Sequence, residues 1–120
     1  MFRNAVPKLV LLLSLAVSCS LWAQDPLWID VRSADEYASG HVSQAVNIPH
    51  TDIADRISEV TADKDALIYL YCRSGRRSGF ALDALEAAGY TNVVNVGGYE
   101  DAKNTAARLE TCRKGQAADC

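Results

Sequence analysis

Leu67 to Tyr71 is a continuous apolar and aromatic run, and it ends on Cys72-Arg73-Ser74-Gly75-Arg76-Arg77. Five such residues without polar alternation suit a strand covered on both faces, as in a parallel sheet. From Phe80 the period becomes helical: Ala81, Leu85 and Ala88 stand at i, i+4 and i+7, Leu82 lies beside them, and Gly89 is placed to stop the helix. The pattern therefore predicts Cys72 at the carboxyl end of a buried strand, in a turn that opens a helix.

Amide N–H groups without partners, and the positive end of the helix dipole, make such a turn favourable for an anion. A thiolate is one. Arg73, Arg76 and Arg77 fall within six residues of a chain whose formal net charge is −3. Surroundings of this kind bring a cysteine pKa from about 8.5 towards ~3.5–7.5, which makes Cys72 a candidate nucleophile that needs no histidine base. The plainer reading is a buried cysteine that ends a core strand.

The other elements follow the same alternation. Leu27 to Val31 reads as a strand, and Ser33 with Glu36 has capping-box spacing for a short helix that Gly40 ends. Val42 to Ile48 reads as a second strand closed by Pro49, Thr51 or Asp52 as the cap of a helix carrying Ile53 and Ile57, and Val93 to Val96 as the last strand. Beyond Gly97-Gly98, Tyr99 opens a helical stretch with Ala102, Ala106 and Leu109 on one face. Strands alternating with helices, without hairpin turns, predict an α/β fold with a small, mostly parallel sheet of four to five strands flanked by short helices. Ligands bind such sheets beyond the strands' carboxyl ends, where Cys72 lies. Trp28 is expected in the core, and Arg32 with Glu36, four apart, as a stabilising ion pair.

Residues 1–23 have the layout of a secretory signal: Arg3 and Lys8, an apolar Leu9 to Val17 core, then small residues ending at Ala23. The core is too short for a membrane span. Export is expected, periplasmic in a two-membrane organism, with cleavage after Ala23; lipidation at Cys19 is the alternative. Without residues 1–23 the chain keeps ten basic and fifteen acidic residues, a net charge of −5. That balance argues against a nucleic-acid partner. The expected domain spans residues 24–103, followed by a helical or tail extension over 104–120. Cys112 and Cys120 are close enough in sequence for a disulfide that leaves Cys72 free, with a resolving contact between Cys72 and one of them as the alternative. Neither His41 nor His50 stands at metal-ligand spacing with a cysteine or carboxylate, and no metal or organic cofactor is expected.

Cys72-Arg73-Ser74-Gly75-Arg76-Arg77 resembles the six-residue C-x-x-G-x-R active loop of rhodanese-like domains, which are sulfurtransferases. Trp28-Ile29-Asp30-Val31-Arg32 with Glu36-Tyr37, Gly40-His41-Val42 through Ala45-Val46-Asn47-Ile48-Pro49, and Gly97-Gly98-Tyr99 match that family's pattern in order. The resemblance covers Leu27 to Lys103, in the manner of the small exported single-domain members. It implies a rhodanese-like fold and sulfur transfer from thiosulfate or a similar donor to a thiophilic acceptor, cyanide in vitro, through a Cys72 persulfide. The donor would be a small anion, and a protein acceptor is a further possibility. The backbone from Arg73 through Arg77, with Ser74 and Gly75, would cradle the anionic sulfur, while the Arg73 and Arg76 side chains would attract the donor. The resemblance also implies that Asp30 supports the loop by pairing with Arg77, and that His41 is scaffold rather than base. Gln44 departs from the family's usual glycine, and an additional first strand and helix are missing.

Other chemistries remain open. A sulfur carrier or redox-sensing module would keep Cys72 and its cradle without turnover. A phosphatase or arsenate reductase would need the C-x5-R pattern, which calls for arginine at position 78, where Ser78 stands.

Overall fold

The structure, a computed structural model, describes residues 24–116; the leader with Cys19, and Cys120 in the tail, lie outside the described residues. Four strands, β1 (Leu27–Asp30), β2 (Val46–Asn47), β3 (Ile68–Tyr71) and β4 (Val93–Gly97), form one parallel sheet in the order β2-β1-β3-β4. The helices are α1 (Ala34–Ser39), α2 (Ile53–Arg56) running into a 3-10 turn at Ile57–Glu59, α3 (Arg76–Ala87) and α4 (Tyr99–Arg113). The expected small parallel α/β sheet is therefore present, with four strands.

β3 is central because both its faces are covered. Ile68, Leu70 and Cys72 project into one core with Ile29, Val31, Ile53, Ile57, Ala81 and Leu85. Tyr71 projects into the other, with Trp28, Val42, Ala45 and Ala102, and Tyr69, Tyr99, Ala106 and Leu109 packed against them. The predicted face of α4 thus packs on the sheet, and Trp28 is 3% exposed. Position 103 falls inside α4, which continues without a break to Arg113. Among the described residues no helix is long and apolar enough to cross a membrane.

Three elements differ from expectation for local reasons. The strand expected over 42–48 shrinks to Val46–Asn47, because Val42 N–H donates to the Tyr71 hydroxyl (3.0 Å) and Ala45 N–H turns back to Val42 C=O (2.8 Å). Gln44 is exposed within that turn, and no non-glycine residue among those described has positive φ, so the turn does not require the family's glycine. Asp52 precedes α2 but makes no side-chain cap. α3 begins at Arg76 rather than Phe80, since its first turn is polar and carries no apolar period. At its other end Gly89 takes φ 94°, and Gly89 and Tyr90 N–H groups return to Glu86 and Leu85 carbonyls, closing the helix as expected. At α1, Ser33 and Glu36 form the predicted capping box before Gly40.

Candidate active site

β3 delivers Cys72 to the carboxyl edge of the sheet, and Gly75 starts α3 three residues later. Gly75 has φ 93°, a conformation that side chains disfavour, and a Cβ there would stand 3.3 Å from Gly97 Cα. Gly98 has an ordinary φ of −86°, yet a Cβ there would meet the Arg73 carbonyl oxygen at 2.7 Å. Gly97 and Gly98, at the end of β4, are therefore in backbone contact with the cysteine loop. Ser74 and Gly98 form a bridge, and Cys72 N–H donates to the Gly97 carbonyl at 3.1 Å.

Cys72 is fully buried and is the free cysteine among the described residues, whereas Cys112 is held in a disulfide. The expected pairing of Cys112 with Cys120 involves a residue outside the described ones. Gly75 N–H donates to Cys72 Sγ at 3.0 Å, and the Ser78 hydroxyl lies 3.4 Å from the same sulfur. Burial pushes the Cys72 thiol up, but the Ser78 hydroxyl and the amides of Ser78, Ser74 and Gly75 outweigh it, so the thiol is more acidic than an ordinary one. The leading acidifying groups are thus hydrogen-bond donors: the loop amides, as expected of a helix-opening turn, together with the Ser78 hydroxyl. Arg73, Ser74 and Arg76 are exposed at the rim, and Arg77 is half-buried.

The ion pairs around the loop are exchanged relative to expectation. Asp30, expected to hold Arg77, is fully buried and paired with Arg32: Arg32 Nε bonds both carboxylate oxygens at 3.0 Å, Nη2 bonds Oδ2 at 2.7 Å, and Arg32 N–H bonds Oδ1 at 2.9 Å. Arg32 also donates to the Gly40 carbonyl and lies 4.5 Å from the Tyr99 ring centroid. Arg77 instead makes an end-on, bidentate pair with Glu36, its Nη1 and Nη2 donating to the two carboxylate oxygens at 2.7 and 2.9 Å. Arg32 cannot use the four-residue helical spacing to Glu36, because it precedes the α1 cap. The Arg77 guanidinium holds the Glu36 carboxyl down from 4.5 to about 2, against the effect of burial and with help from Ser33. Glu36 in turn raises Arg77, with a smaller contribution from Cys72. The loop is therefore anchored to α1 through Arg77, while Asp30 and Arg32 brace the segment beneath it.

Two polar residues absent from the sequence-based site complete the surroundings: Ser78, at the third position of α3, and Asn95, within the otherwise apolar β4. A polar residue inside a Val-Val-x-Val run was the available signal for the second. His41 is stacked on Tyr37 at 3.6 Å, with Nδ1 2.8 Å from the Tyr37 carbonyl, which fits scaffold. His50 is half-buried.

Residues 18–105 match the Rhodanese-like domain family. The chain belongs to that family. It is 39% identical over 101 residues to thiosulfate sulfurtransferase PspE of Escherichia coli K12, covering 84% of this chain and 92% of that protein. It is 40% identical over 75 residues to a sulfurtransferase of Allochromatium vinosum, covering 62% and 68% of the two chains. Among solved structures, a rhodanese with anions from Escherichia coli superimposes with TM-score 0.62 at 42% identity, covering 64% of this chain and 91% of that one. The rhodanese-like fold expected from the loop is confirmed, and the chain is a rhodanese-type sulfurtransferase.

Proposed function

We propose that this rhodanese-like domain transfers a sulfane sulfur from thiosulfate, or a similar small anionic donor, to a thiophilic acceptor through a persulfide on Cys72. The observation that carries this reading is the Cys72 sulfur held at 3.0 Å by the Gly75 amide at the start of α3, beside exposed Arg73 and Arg76. In the first step the thiolate attacks the outer sulfur of the donor. A Cys72 S–S bond forms, the donor's S–S bond breaks, and sulfite leaves with the bonding pair. In the second step an acceptor such as cyanide attacks the outer sulfur, takes it as thiocyanate and returns the thiolate. Charge is conserved through both steps and neither needs an external oxidant. The amides of Ser74, Gly75 and Ser78 stabilise negative sulfur as an oxyanion hole stabilises developing charge. Arg73 and Arg76 draw in the donor anion, and Arg77, engaged by Glu36, holds the loop.

The leader pattern in residues 1–23 supports a site of action outside the cytoplasm, and a protein thiol is a candidate natural acceptor. Initial rates of thiocyanate formation, with thiosulfate and cyanide varied together, test the reading. Parallel double-reciprocal lines, lost in Cys72→Ser, are expected. Intersecting lines, or activity that survives Cys72→Ser, would refute the covalent route; a loaded sulfur without turnover would favour a carrier.

A further inference from the structure

Asn95 of β4 ties the glycine turn after its own strand to Gly75 and Ser78 at the start of α3. Its Nδ2 donates to the Gly75 carbonyl at 3.0 Å, and its Oδ1 accepts the Gly97 N–H at 3.0 Å. The Gly97 contact fixes which end of the amide is oxygen, because a nitrogen there would face another donor. The same Oδ1 lies 2.7 Å from the Ser78 hydroxyl, whose oxygen is also 3.0 Å from the Gly75 carbonyl and 3.4 Å from Cys72 Sγ. A hydroxyl has one proton for these three acceptors. The Gly75 carbonyl already receives Asn95 Nδ2 and the Gly79 N–H. The choice therefore lies between the Asn95 oxygen and the Cys72 sulfur.

Each protonation state of Cys72 has its own arrangement. With a thiol, S–H donates to Ser78 Oγ and the hydroxyl donates onward to Asn95. With a thiolate, the charged sulfur is the stronger acceptor, and rotation about the Ser78 C–O bond brings the proton to it. Ionisation then breaks the Ser78–Asn95 bond. We propose that Asn95 is a positioning residue that acts on Cys72 through Ser78, by competing with the thiolate for the Ser78 hydroxyl proton and so setting how readily the nucleophile ionises. The proposal rests on Cys72 being the sulfur-carrying nucleophile. It uses no contact between Asn95 and substrate.

Of the charged groups on the neighbouring elements, Arg77 also interacts with Cys72, an interaction present whichever acceptor holds the Ser78 proton. Arg73, Arg76 and Arg77 lie on the loop and α3, and Arg77 is engaged by Glu36 of α1. Asp30, at the end of β1, and Arg32, just beyond it, are paired with each other. Asp101 of α4 accepts the Gly98 N–H, and the His41 ring is bonded to the Tyr37 carbonyl.

The test is the pH profile of Cys72 alkylation by iodoacetamide in the full chain, without sulfur donor, with melting temperature as a folding control. Ser78→Ala removes the hydroxyl donor and is expected to raise the midpoint, slowing alkylation below it about tenfold. The isosteric Asn95→Asp holds the hydroxyl proton more firmly and is expected to raise the midpoint as well. Asn95→Ala removes the competitor and is expected to lower it, speeding alkylation below the wild-type midpoint about three- to fivefold. In a Ser78→Ala background Asn95→Ala is expected to leave the profile unmoved, and all folded variants should converge above their midpoints. A rise in Asn95→Ala, or an equal effect with and without Ser78, overturns the proposal. Wild-type protein that alkylates normally but forms no sulfur adduct with thiosulfate would count against the sulfur-transfer reading alone.

Discussion

Replacing Glu36 by Gln tests the anchor between α1 and the active loop. Glutamine keeps an oxygen for the Ser33 N–H but loses the charge facing Arg77, whose nitrogens lie 2.7 and 2.9 Å from the carboxylate. At about 1.4 kcal/mol per tenfold, a Glu36 pKa of about 2 against 4.5 sets a ceiling of about 3–4 kcal/mol. The two side chains are 30% and 32% exposed, and solvent screening brings the expected loss to about 1–2 kcal/mol. Because the folded-state pKa is depressed, the stabilisation is fully present above pH 4.5 and is lost as pH falls towards about 2. Urea unfolding of wild type and Glu36→Gln, followed by circular dichroism between pH 7 and pH 2, should show a gap that closes over that window. A gap of constant size would refute the charge argument and assign the loss to the altered cap.

Arg32→Met strands the buried Asp30 carboxylate and is expected to cost about 3–5 kcal/mol in urea unfolding at pH 7. The double variant Asp30→Asn/Arg32→Met should recover part of that loss. Gly98→Ala drives a methyl group against the Arg73 carbonyl, and the displaced loop should lower kcat/KM for sulfur transfer about 10- to 100-fold. Arg73→Ala and Arg76→Ala, at exposed positions, should each raise the KM for thiosulfate about two- to fivefold with kcat little changed. That difference should shrink at high salt, as steady-state rates at two ionic strengths will show.

The central turn was legible because it is local. An apolar strand, a cysteine and a following helical period lie within about twenty consecutive residues, and the burial of Ile68, Leu70, Ala81 and Leu85 follows from that pattern. The Ser33–Glu36 cap was legible for the same reason. The ion pairs were not. Arg77 reaches Glu36 across 41 positions, a match set by how α1 rests beside α3, while Arg32 turns back to Asp30 two residues away. Val42 reads as strand by its side chain, but its backbone donor is taken by the Tyr71 hydroxyl 29 positions later. Ser78 entered the sequence reading only as the residue that is not arginine, and Asn95 only as part of a strand. Their link to Cys72 requires β4 and α3 to be side by side.

The most direct test of the account is the intact mass of the protein before and after thiosulfate, for wild type and Cys72→Ser, followed by cyanide. The account predicts that wild type gains one sulfur atom, that Cys72→Ser gains none, and that cyanide removes the sulfur as an equal amount of thiocyanate. A wild-type mass unchanged by thiosulfate, or a gain of sulfur that persists in Cys72→Ser, would contradict it.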